Sequence, residues 1–380
     1  MRFLEVLVGE AKNIFTDLAI VLTVVGGVVL YSFLYPQPYM KMAVSELKVV
    51  VIDHDKSDTT RQLKFMLEAT PQIDIIAEVP SLLEAKKLFV SGGVKGIIIF
   101  DENFKRDLYL GKQPSVAVAA DASYFLILGS ILTGASKAIL TESATLKIGK
   151  IMSGATPLVR AKKEYTPYTL NVHALFNPQN SYVQYVIPAV FIIILQQTLL
   201  IGLGILGGRD NENLNFRTSC APVWMVMTSR IVIFMSLFMV HFLFYFGFSF
   251  EFYNIVHLGA IGDILTFGFA FLLSATLLGL TLGALFPNRE MVTPIIVFSS
   301  LPLVFSAGFV WPIEALPSWI VTLSLFSPTT PAIQGFLQLN QMGASFSEIM
   351  VPYATLWLQI LFYGLLAYAL LSHKREIKAK

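Results

Sequence analysis

The sequence predicts an α-helical polytopic membrane protein, with six transmembrane helices and an inserted extracytoplasmic α/β domain. Three observations predict it. Uncharged apolar runs long enough to cross about 30 Å of hydrocarbon, which takes about 20 helical residues, occur six times along the chain. From Ile231 to Ser372 the only Lys or Arg is Arg289. One long polar insertion, from about Pro36 to Ser181, interrupts the apolar series and holds most of the cations. Composition agrees: 55% of residues are hydrophobic and only 14% charged, with a mean hydropathy of +0.67, well away from soluble globular proteins. The net charge of +2 argues neither for nor against nucleic acid, and no nucleic-acid partner is expected. The informative property is where the charges sit.

Arg209, Arg217 and Arg230 cluster in one connection, Arg289 lies in the connection two spans later, and Lys374, Arg375, Lys378 and Lys380 follow the last apolar run. The connections between them carry Glu251, Asp263, Glu314 and Glu348 and no cation. This alternation follows the bias of Lys and Arg toward cytoplasmic loops. It predicts both termini on the cytoplasmic side of the membrane.

The elements follow in order. Residues 1–15 place Phe3, Leu4, Leu7, Ala11 and Ile14 at helical spacing with the charges mostly elsewhere, a pattern for a helix along the membrane surface or a short tail continuing into the first span. The first span runs from about Leu18 to Tyr35; its apolar core is too long for a cleaved signal peptide and no small-residue cleavage site follows. In the insertion, short Val/Ile-rich runs bounded by Asp, Pro or Gly predict strands at Leu47 to Ile52, Ile73 to Val79, Gly96 to Phe100, Val116 to Ala120 and Tyr168 to Ala174. Helices are expected between them at Ser57 to Ala69, Ser81 to Val90, Asn103 to Leu110 and Tyr124 to Met152. Such alternation predicts a mainly parallel sheet, and long domains translocate largely regardless of charge. Domain bounds of 1–35, 36–181 and 182–380 follow.

The remaining spans are expected at Tyr182 to Leu206, Ile231 to Phe250, Ile264 to Phe286, Met291 to Val310 and Met350 to Leu371. Gly204 with Gly208, and Gly279 with Gly283, are G-x-x-x-G pairs that permit close helix approach, first within the chain and second between subunits. After the fifth span the chain stays apolar yet carries Pro312, Pro317, Pro328 and Pro331. With Gly308 and with Trp311 and Trp319 as interface anchors, residues 311–335 are expected to form short half-helices dipping in from the outer side.

Catalytic signatures are absent from the sequence: there is no phosphate-binding G-x-x-x-x-G-K-[ST], H-E-x-x-H, G-x-S-x-G or C-x-x-C. Cys220 is the single cysteine, so no disulfide forms within the chain. No cofactor, metal or catalytic residue is assigned. Asp53, His54 and Asp55 end the first strand and are read first as the turn out of it, with Asp55 or Ser57 capping the next helix; two carboxylates flanking an imidazole would also suit a metal or a proton transfer. Within the spans His241 is the one titratable group well inside a helix, whereas a proton-driven carrier is expected to show several. Energy is therefore expected from a partner.

The order of one span, a large outside domain opening on Val49-Val-Val-Ile-Asp-His-Asp and continuing through Ser57 to Arg61-Gln-Leu, then five more spans, resembles ABC-2 type permeases. Ala69-Thr-Pro, Asp121-Ala-Ser-Tyr, the Gly308 to Pro317 segment and Ser327-Pro-Thr-Thr-Pro-Ala-Ile-Gln-Gly are similar to the bacterial subgroup with a large periplasmic domain. The resemblance covers essentially the whole chain. It implies a dimer of permease subunits, like or unlike, on cytoplasmic ABC ATPase subunits that bind ATP and Mg. An adaptor and outer-membrane channel on the periplasmic side, and membrane lipids, complete the implied partners. A coupling segment between the second and third spans, carried onto Arg209 to Pro222, puts Arg209, Asp210, Glu212 and Arg217 in charged contact with the ATPase and Leu214 and Phe216 in its surface groove; Arg289 lies in a second, shorter candidate. Aromatic residues such as Phe234, Phe238, Phe242, Phe246, Phe298 and Phe305 suit walls for an amphipathic or apolar substrate, or a lipid-facing surface. A membrane-anchored ligand sensor using the outer domain is the alternative.

Overall fold

The computed structural model describes residues 3–40, 45–110, 112, 114–121, 125–153, 157–158, 182–212 and 221–379. The chain divides into two compact units, Met1–Met40 with Leu175–Lys380, and Lys41–Ala174.

The Lys41–Ala174 unit is built on a four-stranded sheet of order β2-β1-β3-β4, where β1 is Leu47–Asp53, β2 Ile73–Glu78, β3 Gly96–Phe100 and β4 Val116–Ala120. β1 pairs in parallel with both β2 and β3, and β4 runs antiparallel to β3. The connecting helices are α3 (Asp58–Glu68), α4 (Leu82–Val90) and α5 (Phe104–Tyr109), and α6 (Phe125–Met152) follows β4. Ser57 and Ser81 start α3 and α4 by accepting from the amides of Thr60 and Glu84, as a serine N-cap does. The direction of β4 follows from α5. A parallel return needs a crossover as long as the strand, and a helix rising 1.5 Å per residue covers about 9 Å in six residues against about 17 Å for a five-residue strand.

Alternation along β1 makes this unit three-layered. Leu47, Val49 and Val51 pack with Leu63 and Leu67 of α3 and Ile131 and Ala135 of α6. Val50 and Ile52 face the other way, onto Ala85 of α4 with Val94 and Ile97. The strands and helices lie within two residues of their sequence expectation, and the expected strand at Tyr168 to Ala174 lies outside the described residues.

In the other unit, five helices among the described residues are long and apolar enough to cross a membrane. They are α2 (Leu18–Tyr39), α7 (within Tyr182–Glu212), α8 (Val223–Phe252), α9 (Ile261–Leu285) and the run Phe346–Lys374 containing most of α13 (Met350–Ala379). The expected fifth span is the helix α10 (Val292–Ser306), 15 residues long. At 1.5 Å per residue it covers about 22 Å, short of the hydrocarbon thickness. It ends where Gly308 takes φ +86, a conformation in which a side chain is strained.

α7 is the hub. In its apolar window 94% of residues are buried, against 22% in α2, so its all-round apolar surface is met by protein on every side. α9 packs on it along a seam where Gly207 and Gly283 touch: a Cβ added at Gly207 would lie 2.5 Å from the Gly283 carbonyl. At Gly204 it would lie 2.5 Å from Val292 of α10. The G-x-x-x-G pairs thus serve contacts within the chain. The surface helix α1 (Phe3–Phe15) packs on the start of α8 through Val6, Ala221 and Val226. α2 contains a π-helical stretch at Leu22–Gly27, and beyond it the hydroxyls of Tyr245 and Tyr253 on α8 donate to the Val28 and Ser32 carbonyls. Backbone acceptors that would face hydrocarbon are thereby satisfied.

Candidate functional site

Two places bring polar chemistry together in the helical unit. The first is one end of the bundle. Arg230, near the start of α8 and 6% exposed at its side chain, donates from Nε to Glu10 of α1 at 2.7 Å and from Nη2 to Asp210 near the end of α7. Arg209 donates to Asp17 and to the Asn13 carbonyl, both at 3.1 Å. Asp17 itself caps α2 by accepting from Ala19 and Ile20, a position that favours a carboxylate. The amide of Arg289 donates to Glu212 at 2.9 Å, and Asn211 donates to the carbonyls of Gly283 and Phe286 that end α9. Lys374 and Leu371 of α13 lie beside Asp210 and Arg230 in the same recess.

Of the expected coupling residues, the structure therefore gathers Arg209, Asp210, Glu212 and Arg289 into one lattice with Glu10, Asp17 and Arg230. Leu214, Phe216 and Arg217 lie outside the described residues. The lattice ties the ends of α1, α2, α7, α8 and the α9–α10 connection together. Sequence reasoning missed Glu10, Asp17 and Arg230 as members. The available signal was a cation and two carboxylates close to the ends of otherwise apolar runs, where an unpaired charge is costly.

The second place is the proline-rich segment. Pro312 precedes a 3₁₀ turn at Ile313–Ala315, Pro317 precedes α11 (Ser318–Ser324) and Pro328 precedes α12 (Thr329–Phe336), with Pro331 inside the first turn of α12. Each stands where a helix has no use for its amide. α11 keeps Trp319 67% exposed, and Trp311 before it is 57% exposed, whereas Thr329, Thr330, Ala332 and Ile333 of α12 are fully buried. Between α11 and α12 the carbonyls of Leu325 and Phe326 accept from Gln359 and Tyr363 of α13, and Ser327 accepts from Gln196 of α7 at 3.0 Å. Broken helix survives in an apolar interior only with such partners. Gln196, Gln359 and Tyr363 were visible as polar residues in apolar spans, but nothing in the sequence named the carbonyls they serve.

Other candidates resolve structurally. Asp53 is buried, accepts from the amides of Asp55 and Lys56, and pairs with Lys64 at 2.8 Å. Burial raises its carboxyl, but Lys64, the Lys56 amide and Thr60 outweigh that and hold it below the usual range. Asp55 accepts from the Lys105 amide at the start of α5. Among the described residues no group of three or more His, Cys, Asp or Glu is placed to hold a metal. His241 is buried edge-on against Phe238. Phe234, Phe238 and Phe242 are enclosed within the chain itself, so they line no surface in this conformation; Phe298 and Phe305 on α10 face outward at 78% and 51% exposure.

Five helices long and apolar enough to cross a membrane, among the described residues, make this a multi-pass membrane unit. The model of the ABC-2 family transporter proteins matches residues 18–369, and the chain belongs to that family, as an ABC-2 type permease. No curated protein matches the sequence. Members of this family are membrane transport components that work with ABC ATPase subunits and are not themselves the ATPase.

Proposed function

We propose that the chain is the transmembrane subunit of an ATP-binding cassette exporter that moves an amphipathic or apolar substrate out of the cytoplasm or inner membrane. It pairs with a second permease subunit, like or unlike, and sits on cytoplasmic ATPases that hold ATP and Mg. The observation that carries this reading is the ion-pair lattice flanking residues 213–220. A force applied to that connection reaches α1 through Arg230 and Glu10, α2 through Arg209 and Asp17, and the α9–α10 connection through Glu212 and Arg289. The tight Gly207–Gly283 seam makes α7 and α9 move as one. ATP-driven closure of the ATPases thus rocks the spans together rather than bending one helix.

Six crossings, with both termini cytoplasmic and Lys41–Ala174 outside as a periplasmic domain, are supported by the ends of the helices. Asp210, Arg230, Gly283 and Lys374 share one recess, so α7 and α9 end, α8 begins and α13 ends on one side. The chain between α9 and α13 must then cross an odd number of times, and α10 with the α11–α12 dip supplies the crossing. The positive-inside bias makes that side the cytoplasm. On the far side the domain is open to a periplasmic adaptor and an outer-membrane channel.

The coupling contact is carried by Leu214, Phe216 and Arg217, while Arg209, Asp210, Glu212 and Arg289 hold their base. Reversing Arg217 together with Leu214→Asp is expected to abolish transport with insertion intact, measured as ATP-driven uptake into inverted vesicles against membrane-fraction yield. Full transport by that variant removes the assignment.

A further inference from the structure

The Lys41–Ala174 unit contains a cavity of about 800 Å³ between α3, α5, β4 and α6, within the range of small-molecule sites. Its walls are largely apolar, with Leu63, Phe104, Leu108, Tyr109, Val116 and Leu146 among them. Among the described residues one acidic side chain lines it, Glu142, and that residue is 3% exposed. Glu142 continues the buried stripe Ile131, Ala135, Ala138 of α6, at helical spacing where an apolar residue is the ordinary choice. Among the described residues its hydrogen bond is a long one, 3.4 Å from Gln62 Nε2, and no cation pairs with it. Burial raises its carboxyl above the usual range. The lysines on the wall, Lys112 and Lys147, are both exposed, and Lys112 is engaged by Asp107 at 3.5 Å. Water screens their charge far more than that of a buried carboxylate.

We propose that this cavity binds an amphipathic monocation, a lipophilic amine or its analogue, whose charge pairs with Glu142 while its hydrocarbon body lies on Leu108, Tyr109, Val116 and Leu146. The ligand supplies what the described residues do not: a countercharge for a buried carboxylate and apolar cover for the cavity walls. This deepens the exporter reading by naming a substrate class, and it rests on that reading only for the step from binding to transport.

The test is anisotropy titration of rhodamine 6G, a lipophilic cation, against the full chain in phosphatidylcholine nanodiscs, with empty discs subtracted. Wild type is expected to bind saturably. Glu142→Gln, which keeps shape and removes charge, is expected to weaken binding by about tenfold, the scale of one charge-assisted contact. Ser143→Trp, which fills the cavity from an exposed position, is expected to abolish it. Gel-filtration profiles like that of wild type and melting temperatures no lower than its own certify both variants as folded. Equal binding by wild type and both variants puts the probe in the helical unit, which overturns this site and leaves the exporter reading standing. Absence of saturable binding overturns it, and so does stronger binding of the anion 1-anilinonaphthalene-8-sulfonate that survives or rises in Glu142→Gln.

Discussion

Arg230 illustrates how a single residue is held by its neighbours. Its guanidinium is desolvated and satisfied by two carboxylates from different helices, and removing one member of such a buried set leaves an uncompensated charge. Arg230→Gln is expected to destabilise the helical unit by about 3–5 kcal/mol, read as a loss of melting temperature in detergent. Arg230→Gln combined with Glu10→Gln and Asp210→Asn is expected to recover part of that loss. Glu142 makes the opposite prediction. Because its folded pKa is raised, the acid form is favoured on folding, so that contribution is present below the unfolded value of about 4.3 and lost as pH rises through the folded value. Glu142→Gln should therefore slow hydrogen exchange in α6 at pH 7 and leave it nearly unchanged at pH 4. Asp53 has the reverse sign: its lowered pKa stabilises the sheet unit above about pH 3.9 and that support is lost as pH falls through the folded value. Lys64→Met is expected to remove much of the support, seen as faster exchange in β1 at pH 7.

At the scale of elements, the close seams leave no room for growth. Gly283→Val would drive a side chain into the Leu203 carbonyl, 2.7 Å from the added Cβ, and Gly207→Val into the Gly283 backbone. Each is expected to cost about 1–3 kcal/mol or more, again by melting in detergent. The broken α11–α12 pair depends on its donors in the same way. Tyr363→Phe leaves the Phe326 carbonyl without its hydroxyl donor, and a loss of about 0.5–1.5 kcal/mol is expected. The helices and strands were legible because each carries a period the backbone imposes: two in β1, with Val49 and Val51 on one face and Val50 and Ile52 on the other, and a continuous apolar run in α7 and α9. The antiparallel β4 was not legible from periodicity, since direction depends on the length of α5. Nor was the length of α10, which stops where Gly308 turns; its apolar composition continues past that point to Val310. Glu142 was hidden in the stripe because a carboxylate in a long helix ordinarily marks its solvent face.

At the scale of the molecule, the recess that brings Asp210, Arg230, Gly283 and Lys374 together puts the ends of α7, α9 and α13 and the start of α8 on one side, and the assignment of that side to the cytoplasm rests on the charge pattern of the sequence. The family was legible from the order of span, domain and spans and from the proline-rich segment. Individual coupling residues were not, because a loop arginine obeying positive-inside bias and one gripping an ATPase look alike in sequence. Of them, Arg209, Asp210, Glu212 and Arg289 are held in the lattice, and Leu214, Phe216 and Arg217 lie outside the described residues. If a separate ATPase moves this permease through the connection between α7 and α8, the two should travel together. Mass spectrometry of the complex, solubilised from native membranes in mild detergent and isolated by size exclusion, is expected to find an ABC ATPase at near equal stoichiometry, lost when Leu214→Asp is combined with charge reversal at Arg217. A chain that runs without any nucleotide-binding partner, even after crosslinking, would contradict it.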